Sequence, residues 1–317
     1  MIDVIYHTPC SMPSIQQLRY LVRLAETRHF RRAADACHVT QPTLSAQLKE
    51  LERKLGVTLV ERSRSSVLVT PTGNAIVEVA RRILRDLDEV RAVAASGRDL
   101  LESTIRIGVV QSLGSYFLPL IVPDLHAKYP RLGLYMREGL PDMLLRAVDE
   151  GTLDLLFFPM PVRNAELDGM SLFREPLHVV APNNHALADE VAIEQEMLAA
   201  ETILTLEPGH KLYEQVRLIC DDVGAELSRD YEGTSLDTLR QMVAMGMGLS
   251  LLPALYVKSE VTREDLVVAR PFARRPPTRT IGMIWRRRTA REAEYRKLAV
   301  DISAILKVRA PEVVVLG

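Results

Sequence analysis

The sequence has few cysteines and no long apolar run. Its 317 residues include three cysteines, Cys10, Cys37 and Cys220. Because they are odd in number and far apart, they argue against a disulfide scaffold and are typical of a reducing cytoplasm. No apolar stretch approaches the roughly 18 residues that a membrane-spanning helix needs. We therefore expect a cytoplasmic protein with no membrane partner.

The N-terminus lacks the pattern of a secretory signal, which is a basic region followed by an apolar stretch. Met12 is a second candidate start. We expect residues 1–12 to form an N-terminal extension that precedes the first domain.

Patterns typical of enzymes are also missing. There is no Gly-x-Ser-x-Gly elbow, and Gly246-Met247-Gly248 lacks the third glycine of a dinucleotide-binding loop. The histidines are scattered, so no metal-ligand cluster is predicted. We predict no enzyme activity, no cofactor and no metal. One alternative stays open, which is a solute-binding or enzymatic α/β domain with an accessory N-terminal head.

Charge is distributed unevenly along the chain. The net charge is −1 overall, but residues 13–70 hold 10 Lys+Arg against 5 Asp+Glu, which gives +5. The rest of the chain holds 30 against 36, which gives −6. A basic head on an acidic body indicates a polyanionic partner for the head alone.

The segment from Phe30 to Gly56 has the pattern of a helix-turn-helix. Ala33 and Ala34 let a second helix cross closely, and Thr40 is an N-cap residue with Pro42 in the first turn after it. The second helix carries one apolar stripe, which we expect to be buried, and the opposite face is left for base edges and phosphates. The stripe consists of Leu44, Leu48, Leu51 and Leu55.

Two short β-like runs, Thr58–Val60 and Val67–Thr70, predict a β-hairpin wing beside this helix. Arginines at the wing tip are placed to reach phosphates. Together with the exposed helix face, they complete the set of predicted DNA contacts. That set is Arg31, Arg32, Gln41, Pro42, Thr43, Ser45, Lys49, Arg53, Arg62 and Arg64. Ser45 is expected to read sequence, and Lys49 and Arg31 to contact phosphates.

A long helix follows from Thr70 to about Ser96. Its apolar residues recur in steps of three and four, which is typical of a seam between two helices. Because a dimer can place two reading helices about one DNA turn apart, we predict a homodimer on inverted half-sites. Packing against the chain's own body stays open. The predicted dimerisation residues are Ile76, Ile83, Leu87 and Val90.

These motifs resemble the LysR-type transcriptional regulators, and in particular their OxyR-like subfamily. The likeness extends from about Pro13 to Val308. It rests on Arg28-His29-Phe30-Arg31-Arg32-Ala33-Ala34-Asp35, Thr40-Gln41-Pro42-Thr43-Leu44-Ser45, Thr70-Pro71-Thr72-Gly73, Leu206-Glu207-Pro208-Gly209-His210, Thr234-Ser235-Leu236-Asp237-Thr238-Leu239-Arg240 and Leu251-Leu252-Pro253-Ala254-Leu255. It implies a homotetramer, and RNA polymerase as a partner if the protein is an activator.

After residue 104, strands alternate with helices of 10–15 residues, which predicts parallel sheets built from βαβ units. The fold class is therefore α/β, and the resemblance implies a periplasmic-binding-protein-like effector domain of two lobes. The predicted domains are a winged helix-turn-helix at 13–70, a linker helix at 71–98 and an effector domain at 104–308. Lobe I is placed at about 104–176 and 279–308, and lobe II at about 177–278.

The effector site is predicted from strand ends and helix starts, where ligands of open α/β sheets bind. That rule selects Ser112 and the start of the helix after Gly209, and Arg279 lies on a strand entering the same lobe. In peroxide-sensing relatives, the resemblance implies a reactive cysteine directly after the Gly-His pair. This chain has Lys211 there, with Cys220 nine residues later.

A lysine cannot form a sulfenic acid, so a dithiol peroxide switch is not expected. Cys220 lies on an apolar stripe and is predicted to pack in a core. Lys211, with His210, Ser112 and Arg279, is a candidate site for a small anionic metabolite. A solvated Lys211 in a constitutive protein is the simpler alternative. A redox response through Cys37 or Cys10 also stays open.

Overall fold

The computed structural model divides into two compact units, Met1–Ala95 and Ser96–Gly317. Cys10 and Arg64 lie outside the described residues, and so does the side chain of Arg62. The described residues are 12–62, 67–95, 104–228, 231, 233–263 and 265–316.

The N-terminal unit contains three helices, a two-stranded hairpin and a long fourth helix. The sequence explains the limits of α3: the Thr40 side chain accepts a hydrogen bond from the Thr43 backbone N–H at its start, and Gly56 ends it in the left-handed conformation at φ +68°. In chain order the elements are α1 Ile15–Thr27, α2 Phe30–Ala36, α3 Gln41–Leu55, β1 Val60–Arg62, β2 Val67–Val69 and α4 Pro71–Ala95.

The predicted leucine stripe is confirmed as the core of this unit. Leu44, Leu48 and Leu51 are buried, and Leu55 packs against the same cluster while half-buried. Ala33 and Ala34 are also buried, as expected where helices cross closely. The burial of one side of α3 leaves its polar side facing away from the core.

The predicted wing forms, but its first strand begins later than expected. Strand β1 starts at Val60 and pairs antiparallel with β2, with Val60 opposite Val69. The prediction started the strand at Thr58. The shift has a local cause, because the Glu52 carboxylate accepts hydrogen bonds from the backbone N–H groups of Leu59 (2.8 Å) and Val60 (3.1 Å). These N–H groups are bound to α3 instead of to a neighbouring strand.

The C-terminal unit is a mixed α/β structure. Its described strands are β3 Thr104–Val110, β4 Gly133–Gly139, β5 Leu155–Met160, β6 Leu167–Pro182, β7 Thr202–Leu204, β8 Glu226–Leu227, β9 Leu249–Pro253, β10 Val267–Arg270, β11 Thr278–Arg286 and β12 Val314–Val315. Its helices are α5 Gly114–Lys128, α6 Pro141–Asp149, α7 Lys211–Val223, α8 Leu236–Ala244, α9 Ala254–Glu260 and α10 Glu292–Arg309.

The expected parallel pairing is found in the outer strands of the sheet but not in its middle. The strand order is β4-β3-β5-β11-β6-β9-β7-β8, in which the two outer groups pair in parallel but β11 and β6 pair antiparallel with their neighbours. Strand β6 explains this, because its first part pairs with β11 and its last part pairs with β9 and β10. One long strand therefore passes from one lobe to the other.

Two separate hydrophobic cores lie on either side of this crossing. One contains Ile105 to Phe173 together with the β11 and α10 residues, and we call this part lobe I. The other runs from Leu177 to Phe272 and is called lobe II. The domain boundaries given above stay predictions.

Candidate nucleic-acid interface and effector site

The polar side of α3 is exposed along its length. Ser45 is half-buried, and the other predicted contacts of this helix face solvent, together with Ala46. The exposed predicted contacts are Gln41, Pro42, Thr43, Lys49 and Arg53. Arg31 and Arg32 are exposed on α2. The contacts predicted on these two helices thus lie on accessible surface, apart from the half-buried Ser45, while their role in DNA binding stays a prediction.

The cations on this face differ in their surroundings. Arg53 holds Glu50 through two bonds, Nε to Oε2 at 2.7 Å and Nη2 to Oε1 at 2.6 Å. The hydrogen bond from Arg53 keeps the pKa of the Glu50 carboxyl below its usual value. Lys49 is exposed and makes no ion pair within the part of the chain that the structure describes. Sequence reasoning missed the Arg53–Glu50 pair, although its i,i+3 spacing was the available signal.

Helix α4 has two apolar faces. One packs on the core of its own unit through Val77 and Ala80, with Ile76 and Leu84 partly buried beside them. The other is open to solvent: Ile83 is 37% exposed and Val90 is 63% exposed. Leu87 is half-buried. The predicted seam is therefore divided, since Ile76 contributes to the unit's own core and Ile83 and Val90 do not.

Arg279 lies in a buried network instead of an open cleft. Its Nε donates to Glu175 Oε2 at 2.7 Å, Nη1 donates to Ser112 Oγ at 2.9 Å, and Nη2 donates to the Ser112 carbonyl oxygen at 3.0 Å. The second carboxylate oxygen of Glu175 accepts the Leu255 backbone N–H at 2.8 Å. The predicted proximity of Ser112 and Arg279 is confirmed. Their role as ligand contacts stays a prediction, and it now competes with a structural role.

Lys211 is not brought into that network. It is the first residue of α7, it is exposed, and its Nζ pairs with Glu214 Oε2 at 2.7 Å. Among the described residues it makes no bond to Ser112 or Arg279. His210 is buried, and its Nε2 has no hydrogen-bond partner among the described residues. Burial lowers the pKa of its imidazole. The four residues predicted for the effector site are thus divided between two places.

The described cysteines are buried or half-buried thiols. Cys220 lies inside the lobe II core, as predicted, and burial raises its pKa to about 11. Cys37 is half-buried at the end of α2, and burial raises its pKa as well. A raised pKa keeps a thiol protonated at neutral pH, and the protonated form is a poor nucleophile.

A second contact between the lobes was not predicted from the sequence. The Tyr116 ring lies edge-on to Tyr256, with centroids 4.8 Å apart, and the Tyr116 hydroxyl donates to Asp237 at 3.2 Å. The Tyr256 hydroxyl also bonds Asp237, at 3.2 Å. Because the three residues come from distant segments, no local pattern could have revealed the cluster.

A winged helix-turn-helix followed by a long helix in one unit, and a two-lobed α/β domain in the other, define a DNA-binding transcriptional regulator with an effector domain. Two family models match. Residues 15–74 match the bacterial regulatory helix-turn-helix protein of the LysR family, and residues 98–299 match the LysR substrate-binding domain. The chain belongs to the LysR family.

Within that family the chain is similar to OxyR proteins. It is 40% identical to the DNA-binding transcriptional dual regulator OxyR of Escherichia coli K12, over 92% of this chain and 95% of the relative. A full-length OxyR from Pseudomonas aeruginosa, solved as a Cys-to-Asp variant, has a TM-score of 0.77 at 33% identity and covers 94% of this chain and 95% of its own.

The hydrogen peroxide-bound OxyR variant of Corynebacterium glutamicum has a TM-score of 0.65 at 28% identity, covering 93% of each chain. These relatives are regulators and not enzymes, and OxyR-like is the subfamily to which the likeness points. In the described part of the chain, no helix is long and apolar enough to cross a membrane.

Proposed function

We propose that this regulator binds promoter DNA as a dimer, with α3 of each copy in the major groove of one half-site. The exposed polar side of α3, opposite the buried Leu44, Leu48 and Leu51, carries the proposal. The exposed apolar face of α4, including Ile83 and Val90, supports the dimer. Assembly into a tetramer and contact with RNA polymerase follow only from the family.

Lys49 tests the groove-facing assignment of α3. Lys49→Ala is expected to weaken binding to every DNA sequence alike and to reduce the slope of log K against log salt by about 1, because one phosphate contact is lost. Mobility shifts over a range of salt concentrations measure both quantities. Arg53→Ala is expected to have a smaller effect, since Glu50 already neutralises that guanidinium.

Lys258→Ala is the matched control. It removes a lysine of the C-terminal unit that pairs with Glu312 of the same unit. Its salt slope is expected to equal that of the unchanged protein. An unaltered slope in Lys49→Ala would show that this face does not contact phosphate.

We further propose that a cysteine pair does not switch this protein. Two observations support this: a lysine stands directly after Gly209-His210, and Cys220 is buried with a raised pKa. A dithiol switch needs two thiols, one of which must be reactive as a thiolate. The printed names of several relatives describe hydrogen peroxide-inducible genes activators. Peroxide sensing in this chain would need a chemistry other than a cysteine pair.

Hydrogen peroxide is therefore expected to leave the DNA footprint of this protein unchanged. Footprinting of the reduced and the peroxide-treated protein measures this, and mass spectrometry reports any oxidation of Cys220. The Escherichia coli relative, treated in parallel, is the positive control. A peroxide-induced footprint change that dithiothreitol reverses would contradict the proposal.

The anionic effector stays a prediction from the sequence. Arg279 is neutralised by Glu175 and Lys211 pairs with Glu214, so the positive charge at the predicted site is lower than the sequence alone indicated. What still favours an anion is the place of Lys211 at the N-terminus of α7, where backbone N–H groups are unsatisfied. Binding of an organic acid that disappears in Lys211→Ala would support it, and unchanged binding would count against it.

A further inference from the structure

A cavity of about 520 Å³ lies within lobe II, between the loop after β7, helix α7 and strand β8. Its volume is within the range of small-molecule sites. All its lining residues belong to lobe II, so it is distinct from the Arg279 network at the junction of the lobes. Those that matter below are Thr205, Leu206, Tyr213, Arg217, Glu226 and Tyr231.

Two hydroxyl groups in this cavity are buried and have no partner among the described residues. Thr205 is only 6% exposed, and its Oγ1 makes no hydrogen bond to any of them. The Tyr231 hydroxyl is also buried without a partner in the part of the chain that the structure describes. An unsatisfied buried hydroxyl destabilises a fold, and a ligand that bonds to it recovers that loss. The inner end of the cavity is thus suited to a group that can exchange hydrogen bonds with hydroxyls.

The charged groups lie on exposed residues of the lining. Arg217 Nη1 pairs with Asp221 Oδ2 at 2.8 Å, so these two charges offset each other. Glu226 is exposed and makes no ion pair with any described residue. Glu226 thus adds a carboxylate to the lining, which also includes the aromatic ring of Tyr213. A carboxylate and an aromatic ring together favour a cation.

The exposure of these groups orders them along the cavity. Glu226 is exposed, whereas Thr205 is buried. Leu206 and Leu227 line the cavity with apolar surface.

We propose that this cavity binds a small organic ammonium compound whose apolar body carries a hydroxyl at the far end. The ammonium lies at Glu226, the apolar body contacts the leucines, and the hydroxyl bonds to Thr205 and Tyr231. This site does not depend on the proposed DNA contacts, so its failure would leave the proposed function untouched.

Tyramine is the probe, because it has an ammonium, an aromatic body and a phenolic hydroxyl in that order. Titration calorimetry of the full chain is expected to show saturable binding of tyramine. Tyrosol, which has a hydroxyl in place of the amine, and phenethylamine, which lacks the phenolic hydroxyl, are each expected to bind about tenfold more weakly or worse. Equal binding of tyrosol would contradict the proposed role of charge, and absence of tyramine binding would overturn the site.

Three variants locate the binding. Glu226→Gln and Thr205→Val are each expected to weaken tyramine binding about tenfold. Glu190→Gln removes an exposed carboxylate that does not line the cavity and is expected to change nothing. Thr205→Val is also expected to raise the melting temperature of the unliganded protein, because it removes a buried hydroxyl that has no partner among the described residues. Tyramine binding that survives unchanged in both cavity variants would overturn the proposal.

Discussion

Replacing Arg279 with methionine is expected to lower the free energy of unfolding of the C-terminal unit by about 3–5 kcal/mol. The side chain of its partner Glu175 is 0% exposed. Without the guanidinium, the buried carboxylate keeps only the Leu255 N–H as a partner among the described residues. Denaturant titration followed by the fluorescence of Trp285, the single tryptophan, measures the change in this unit.

Two comparisons separate this effect from a general loss of an arginine. Arg274→Met is the matched control, because Arg274 pairs with Glu194 on the surface and its side chain is 84% exposed. Its expected cost is about 0–1 kcal/mol. The double variant Glu175→Gln and Arg279→Met is expected to be more stable than Arg279→Met alone, since no charge stays buried. A cost for Arg279→Met no larger than that of the control would show that the pair is not formed.

Introducing aspartate at both Ile83 and Val90 is expected to abolish the dimer and to weaken binding to a two-half-site operator by about 10²–10⁴-fold. Both side chains lie on the exposed apolar face of α4, where a carboxylate cannot be buried against a second copy without a large desolvation cost. Light scattering measures the mass, and mobility shifts on duplexes selected from a random pool measure the affinity.

Arg82→Asp is the control for charge, because it also changes the net charge by two units but lies on a different face of α4. It is expected to leave the dimer intact. Affinity for a single half-site should stay the same in the double variant, because each head still folds on Val77 and Ala80. A dimer that persists in the double variant would show that α4 does not form the interface.

Most of the head could be predicted from local sequence. The leucine spacing, the Thr40 cap and Gly56 each act over a few residues, so the helix limits and the buried side of α3 followed from periodicity. The departure of Lys211 from the subfamily pattern was also visible, as was the core position of Cys220. Even locally the prediction was incomplete, since the Leu59 and Val60 N–H groups donate to the Glu52 carboxylate and β1 begins two residues later than predicted.

The effector domain was less predictable, because its pairings join distant segments. Periodicity indicated strands but not their directions. The sheet is mixed because β6 continues from one lobe into the other and pairs antiparallel with β11 and β9. The same limit applied to the site. Glu175 and Arg279 are 104 residues apart, so nothing nearby in the sequence showed that this charge was already neutralised.

The sequence by itself determined the DNA-reading head, the absence of a cysteine at position 211 and the membership of the family, because these depend on residue identity and short-range spacing. Only the tertiary structure decided which charges are paired and which apolar face of α4 stays open. It also decided where a lobe II cavity leaves the hydroxyls of Thr205 and Tyr231 without a partner among the described residues. The reason is that burial and pairing depend on contacts between remote segments, and those contacts exist only in the folded chain.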